Sequence, residues 1–302
     1  MKKLLILILL LLPTTLSAQT FYDHTPNARV AAMGGASVAM RADAFATFGN
    51  AAAVPMEYKS VQAAFSYVNF SGDIYRKNRM LSGGAYARFA QRHALMVGLQ
   101  FNLEPQNIED RRPGAQLFNL GYGYKLSDRI SLAVTARYRR TYGNIDDSAN
   151  ISGGGADLAL FSRLPMHFLE GAALNIGGKL SFDTPASLRY DRYTFAPTVG
   201  VALSMPFSDA HLLDITAEAK CGITKQNDIF VARLGVEYSL MRLFYFRAGG
   251  NVACVTESLT IPYASIGAGV RFFHLQFDIA YLIGKKNTPF NNAVQVNFGL
   301  DF

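Results

Sequence analysis

The chain has no tryptophan and, in 302 residues, only two cysteines, Cys221 and Cys254. Two thiols are too few for a disulfide framework, and no two cysteines or histidines have metal-ligand spacing, so neither a metal nor a cofactor is expected. Charged residues are scarce at 17%. The formal charge is +7, or +5 without Lys2 and Lys3, but no basic cluster accompanies it, so nucleic acid is not implied as a partner. Beyond residue 18 no apolar run approaches the ~18 residues of a membrane helix, yet half the chain is hydrophobic. That leaves a large soluble β protein or a barrel that crosses a membrane with strands.

The chain opens with Met1-Lys2-Lys3, an apolar run from Leu4 to Leu12, Pro13, and the small pair Ser17-Ala18. This reads as a secretory signal peptide over residues 1–18, since the apolar run falls well short of the ~20 residues that span a bilayer. No Cys follows Ala18, so no lipid anchor is expected and the mature chain starts near Gln19. At the other end Val294, Val296, Phe298, Leu300 and Phe302 alternate with Gln295, Asn297, Gly299 and Asp301. A last alternating strand ending in Phe resembles the signal read by the barrel-assembly machinery, with Phe298, Leu300 and Phe302 as its apolar face.

From residue 60 onward about fourteen segments of ten to twelve residues show period-two alternation, each closed by Gly, Pro, Asp, Asn or Ser. In the ninth, Leu213, Ile215, Ala217 and Ala219 share one face while Asp214, Thr216, Glu218 and Lys220 share the other. The tenth sets Phe230, Leu234 and Val236 against Arg233 and Glu237; the fifth sets Leu132 and Val134 against Arg137 and Arg139. A one-residue slip would carry those charges into hydrocarbon at ~2–4 kcal/mol for each Arg or Lys at the midplane. The links alternate too. They are short at Ala90 to Arg92, Leu126 to Asp128, Phe207 to Ala210, Met241 and Phe272 to Phe273, and longer between, as at Tyr142 to Ile151 and Ala253 to Ile261. Arg163 to Glu170 is the exception, a longer link on the short side. Tight turns on one rim and long loops on the other are the pattern of outer-membrane barrels, with turns and both termini periplasmic. The expected fold is all-β: a transmembrane antiparallel barrel of about 14 strands over residues 59–302, solvated by outer-membrane lipid. With Trp missing, an interfacial belt falls to the 15 Tyr and 22 Phe.

Fourteen strands enclose a lumen that either holds a plug or stays open. Residues 19–58 have no strand partner, are rich in Ala and Gly, and can supply a plug (hatch) segment. The text from Ala28 to Ala39, then Ala42 to Ala52, carries Arg29, Met33-Gly34-Gly35-Ala36, Asp43-Ala44 and Asn50. It resembles the opening of the FadL-like outer-membrane proteins, in particular the PorV/PorQ group of Bacteroidetes, with Ala51 where that family usually has Pro. The resemblance implies a fourteen-stranded barrel with its N-terminal segment folded into the lumen. It further implies either passage of hydrophobic molecules, as in FadL proteins, or a role in type IX secretion, as in PorV-type proteins. From the residues alone, Gly34 and Gly35 allow close packing on a wall or form a flexible joint. Asp43 caps a short helix through Phe48 or sits in a loop.

A lipid hydrolase needs a nucleophile and a His base near the outer leaflet. His93, His167, His211 and His274 fall at short-side turns and His24 in the plug segment, so no enzyme is expected. Glu109-Asp110 and Asp146-Asp147 read as solvated loop acids, and Arg111-Arg112 as part of a mixed-charge loop. Threading the strands brings Cys221 and Cys254 to the outer rim, where they either form a single disulfide between loops or stand as two isolated thiols. Arg137, Arg139, Lys179, Asp214, Glu218, Lys220, Arg233, Glu237 and Asp278 face the lumen with mixed sign, which suits bracing a plug against a wall better than selecting a permeant. Two functions follow as expectations: binding or transport of a small hydrophobic molecule through a plugged lumen, or docking of secretion-system proteins at the outer loops. A polar-solute porin ranks third.

Overall fold

The alternation does produce strands. In a computed structural model the described residues are 25–70, 79–103, 114–142, 151–167, 170–183, 195–223, 228–255, 258–286, 288 and 290–302. Fourteen strands form: β1 (Val61–Asn69), β2 (Arg79–Phe89), β3 (His93–Leu103), β4 (Gly114–Lys125), β5 (Ile130–Tyr142), β6 (Ile151–Pro165) and β7 (Ala173–Asp183). They continue as β8 (Phe195–Ser208), β9 (His211–Ile223), β10 (Asp228–Leu240), β11 (Phe244–Val255), β12 (Ser258–Phe272), β13 (Leu275–Gly284) and β14 (Asn291–Asp301). Each pairs antiparallel with its sequence neighbours, and β1 pairs with β14, which closes the barrel and leaves no sheet edge.

The two faces of the wall differ as the alternation demands. Outward positions are apolar and open, among them Leu95, Val97 and Leu99 on β3, Leu234 and Val236 on β10, and Phe277 and Ile279 on β13. Inward positions on the same strands are buried and mostly polar or small, as with Arg233, Glu237, Gln276 and Asp278. An apolar belt of this extent is the surface of a barrel solvated by acyl chains, and a sandwich with one buried face per sheet is excluded by the single closed sheet.

Two-residue and three-residue turns join β8 to β9, β10 to β11, β12 to β13 and β2 to β3 on one rim, the turn rim. Residues 166–172 join β6 to β7 there; β6 runs to Pro165, so part of the long link expected from Arg163 is strand. The opposite, loop rim differs from expectation at Ala253 to Ile261. There β11 continues to Val255 and β12 starts at Ser258, the two paired with each other, so most of that polar text is ladder. The loop acids Glu109, Asp110, Asp146 and Asp147, the pair Arg111-Arg112, the signal peptide and His24 lie outside the described residues.

On the turn rim an aromatic girdle forms without Trp. His93 shares a hydrogen bond with the Tyr122 hydroxyl at 2.7 Å and stacks on Phe89. His211 is bonded to Tyr238, and His274 stacks on Phe302. Such half-apolar, half-polar pairs suit the membrane–water boundary.

The described residues before β1, from Thr25 onward, pack on the inward face of the wall. Helix α1 (Ala28–Ala32) packs on β11 to β14, and a 3-10 helix (Ala51–Met56) packs on β2 to β6 across the lumen. Asn27 caps α1 by accepting from Arg29 N. Asn50 caps the 3-10 helix by accepting from Ala52 N, with Ala51 as its first residue.

Candidate functional site

The bore and its occupant form the candidate site, and small residues let the two meet. Gly34 has φ +68° and Gly35 φ +87°, a left-handed stretch that turns the chain sharply after Met33. A Cβ on Gly34 would lie 2.4 Å from the Gly250 nitrogen, so backbone runs directly against backbone. The wall answers with its own glycines. A Cβ on Gly177 would lie 1.8 Å from Val38 O, on Gly84 2.2 Å from Ala44 O, on Gly249 2.3 Å from Gly34 N and on Gly235 2.6 Å from Met33 O. Met33 and Ala36 are fully buried as a result.

Polar contacts complete the fit. Arg29 donates Nε to Glu237 Oε2 at 2.9 Å and a terminal nitrogen to Oε1 at 2.8 Å, a bidentate buried pair. Glu237 also accepts from Arg247, which reaches Asp278 at 2.7 Å, so the charges alternate in sign from β13 to the segment. Burial opposes the Arg29 charge, but the Glu237 carboxylate outweighs it and the pKa is raised. Glu218 accepts from Ser37 N at 2.7 Å and Val38 N at 2.8 Å while paired with Arg233. Asn251 donates to Gly34 O at 3.0 Å, and Lys179 to Phe48 O at 3.1 Å. Asn50 donates to Val38 O and to Leu160 O on the wall.

Asp43 accepts from Asn27 and from Phe45 N. Burial raises its pKa, partly countered by Arg29. The residues after it form turns rather than a helix, so its bond to Phe45 N closes a local turn and caps nothing. Beside it lies a cavity of about 30 Å³ lined by Asn27, Val30, Met40, Asp43, Phe45 and Phe48, among others. A space of that size holds about two waters.

All nine lumen residues expected from alternation occupy inward positions. Glu218, Arg233, Glu237 and Asp278 meet the segment or its ion chain, while Arg137 pairs with Asp157 at 3.2 Å and Asp183 at 3.1 Å nearer the loop rim. Arg139, Asp214 and Lys220 are half-buried. Residues that alternation did not single out include Arg247, Asp157, Asn251 and the glycines. Glu57, at the end of the segment, pairs with Arg41 at 2.9 Å. Phe298, Leu300 and Phe302 project outward; Leu300 lies on β14, the closing strand.

Of the two arrangements open to the cysteines, the structure has the isolated thiols. Cys221 and Cys254 are free thiols that flank Phe230, each opposite it in register, on β9 and β11. With β10 between them their backbones are about 10 Å apart, beyond the ~7 Å limit for a disulfide.

No protein-family model matches the chain, and no curated protein matches it in sequence. Solved structures do match in fold. The monoaromatic hydrocarbon channel CymD superposes with a TM-score of 0.59 at 13% identity, over 94% of this chain and 99% of that one. The toluene transporter TbuX of Ralstonia pickettii gives 0.58 at 11% identity, over 94% and 100%. A Pseudomonas aeruginosa FadL homologue gives 0.53 at 14% identity, over 92% and 98%. At these identities the likeness is one of architecture alone: a closed antiparallel barrel, of fourteen strands here.

Proposed function

We propose that this chain is an outer-membrane barrel that binds or passes a small hydrophobic molecule, with the segment before β1 as a displaceable plug. The reading is supported by one observation: residues from Asn27 to Glu57 are mostly buried against inward wall residues through fitted contacts, behind an exterior of exposed apolar side chains. Passage along the bore requires the segment to shift, because its backbone lies directly against wall glycines such as Gly177 and Gly249. Export by the leader of residues 1–18 and a turn rim facing the periplasm, with both termini there, belong to the same proposal. So does insertion by the barrel-assembly machinery through Phe298, Leu300 and Phe302. The substrate class follows the printed names of the structural neighbours, whose cargoes are monoaromatic hydrocarbons and toluene.

The test is uptake of a radiolabelled monoaromatic by cells with an intact lipopolysaccharide barrier, with and without the protein. Several-fold faster accumulation is expected, and equal rates would refute transport. The second reading, a PorV/PorQ-type component of type IX secretion, draws on the Arg29 to Asn50 motif. It would gain if loss of the protein left uptake unchanged and trapped secreted proteins in the periplasm.

A further inference from the structure

Half of the turn rim presents large apolar side chains at its tips. Phe207, next to last on β8, is 61% exposed; Met241, between β10 and β11, is 66% exposed; Phe273, between β12 and β13, is 84% exposed. In each case the backbone is irregular at that residue. Phe207 lies where the β8–β9 register shifts between Pro206 and Ser208. Met241 has φ +55° and Phe273 φ +53°, a region that favours Gly or Asn and disfavours a bulky side chain. The three turns are tied into one arc: Met241 N donates to Ala210 O at 2.5 Å and Arg271 N to Leu243 O at 2.8 Å.

The other half of the rim supplies a control. The turn between β2 and β3 has the same length and nearly the same backbone, with Ala90 at φ 48° and Gln91 at φ 59°, but carries Ala90-Gln91-Arg92 in place of Met241-Arg242-Leu243. The next turn, Leu126-Ser127-Asp128-Arg129, has one exposed apolar side chain, Leu126 at 48%, followed by three polar residues. The backbone therefore does not call for apolar tips, and the surroundings of the β8–β13 arc must. The apolar tips continue without a break into the outward belt through Phe244, Phe272 and Leu275, all of them exposed.

We infer that the turns of the β8–β13 arc insert into the acyl–headgroup boundary of the adjoining phospholipid leaflet, while the β2–β5 turns stay in water. The barrel then sits tilted, deeper on one side. Phe273 and Met241 lie among lipid, and Arg242 and His274 beside them reach headgroups, an interfacial anchor of aromatic and basic parts. The inference rests on the membrane reading above.

The test places a fluorescent thiol label, one site at a time, in a chain with Cys221→Ser and Cys254→Ser. Arc sites are Phe207→Cys, Met241→Cys and Phe273→Cys; control sites are Gln91→Cys and Ser127→Cys; Phe246→Cys, outward on β11, is the lipid reference. In vesicles of phosphatidylethanolamine and phosphatidylglycerol, aqueous iodide should quench arc labels several-fold less than control labels, and brominated acyl chains several-fold more. Equal iodide quenching at arc and control sites, with residue 246 protected, overturns the inference. Iodide reaching residue 246 as well would instead sink the membrane reading. Protection of the arc in native outer membranes but not in lipid vesicles also overturns it, because a protein would then be the occupant. Asp209→Cys and His274→Cys, exposed in the same turns, repeat the measurement should an apolar-site variant fail to fold.

Discussion

Replacing Arg29 with Met should loosen the segment without disturbing the wall. The guanidinium holds both oxygens of Glu237 and also donates to Arg41 O at 3.3 Å, with almost no solvent around the pair. Removing one partner of a buried ion pair costs ~3–5 kcal/mol. Arg247 remains on Glu237 in the variant, so the lower end applies, about 3 kcal/mol. That corresponds to roughly a hundredfold shift from seated to released segment. Arg29→Lys should fall between, because a point charge cannot span both oxygens. The assay is conductance in planar bilayers with limited proteolysis of the segment in parallel. Arg29→Met should open far more often than the parent and expose the segment to cleavage. Gly34→Ala, which brings a Cβ into the Gly250 backbone, removes the steric fit independently. A folded Arg29→Met barrel that stays as closed and as protease-resistant as the parent would refute the argument, and opening by Gly34→Ala alone would assign the retention to shape.

Adjacent glycines on β7 should behave oppositely. Gly177→Ala places a methyl on Val38 O and should cost at least ~1–3 kcal/mol in urea unfolding, whereas Gly178→Ala meets nothing within 4 Å and should be neutral or stabilising. Leu234→Arg, at an outward position 56% exposed to lipid, should cost ~2–4 kcal/mol if it lies near the midplane. Thiol titration of non-reduced protein should find two free cysteines, and a bis-maleimide about 10 Å long should bridge them. The raised Asp43 pKa means its contribution to stability is complete below the unfolded value near ~4 and lost as pH rises through the folded one. Melting from pH 4 to pH 7 should therefore weaken the parent more than Asp43→Asn.

The wall was legible because lipid outside and polar contacts inside impose opposite chemistry on successive residues. β2 ends and β3 begins on either side of the expected link Ala90 to Arg92, and all nine lumen charges fall inward. Legibility fails where alternation stops carrying that contrast. Beyond the acyl layer both faces are wet, so Thr256-Glu257-Ser258 reads as loop although β12 already begins at Ser258. Arg247 was detectable from Tyr245 and Arg247 alternating with Phe244 and Phe246, but the glycines around it read as weak strand. The cysteines needed strand offsets as well as strand order, since only register shows that Phe230 separates them. The Arg29 to Asn50 text pointed to the lumen through a family likeness. Its partners on the wall depend on contacts across 110 to 217 residues for those named above, which no local pattern encodes.

The inward glycines are of two kinds. At Gly84, Gly177 and Gly249 the opposing atoms belong to main chain, so trimming a side chain on the facing segment makes no room for a replacement. At Gly98 and Gly123 the opposing atoms are all side chain, Thr47 and Phe48 at the first and Pro55 and Met96 at the second, which smaller neighbours would vacate. Among descendants of a common ancestor the first set should stay invariant while the second drifts in compensated pairs, so that inheritance itself records which contacts are negotiable.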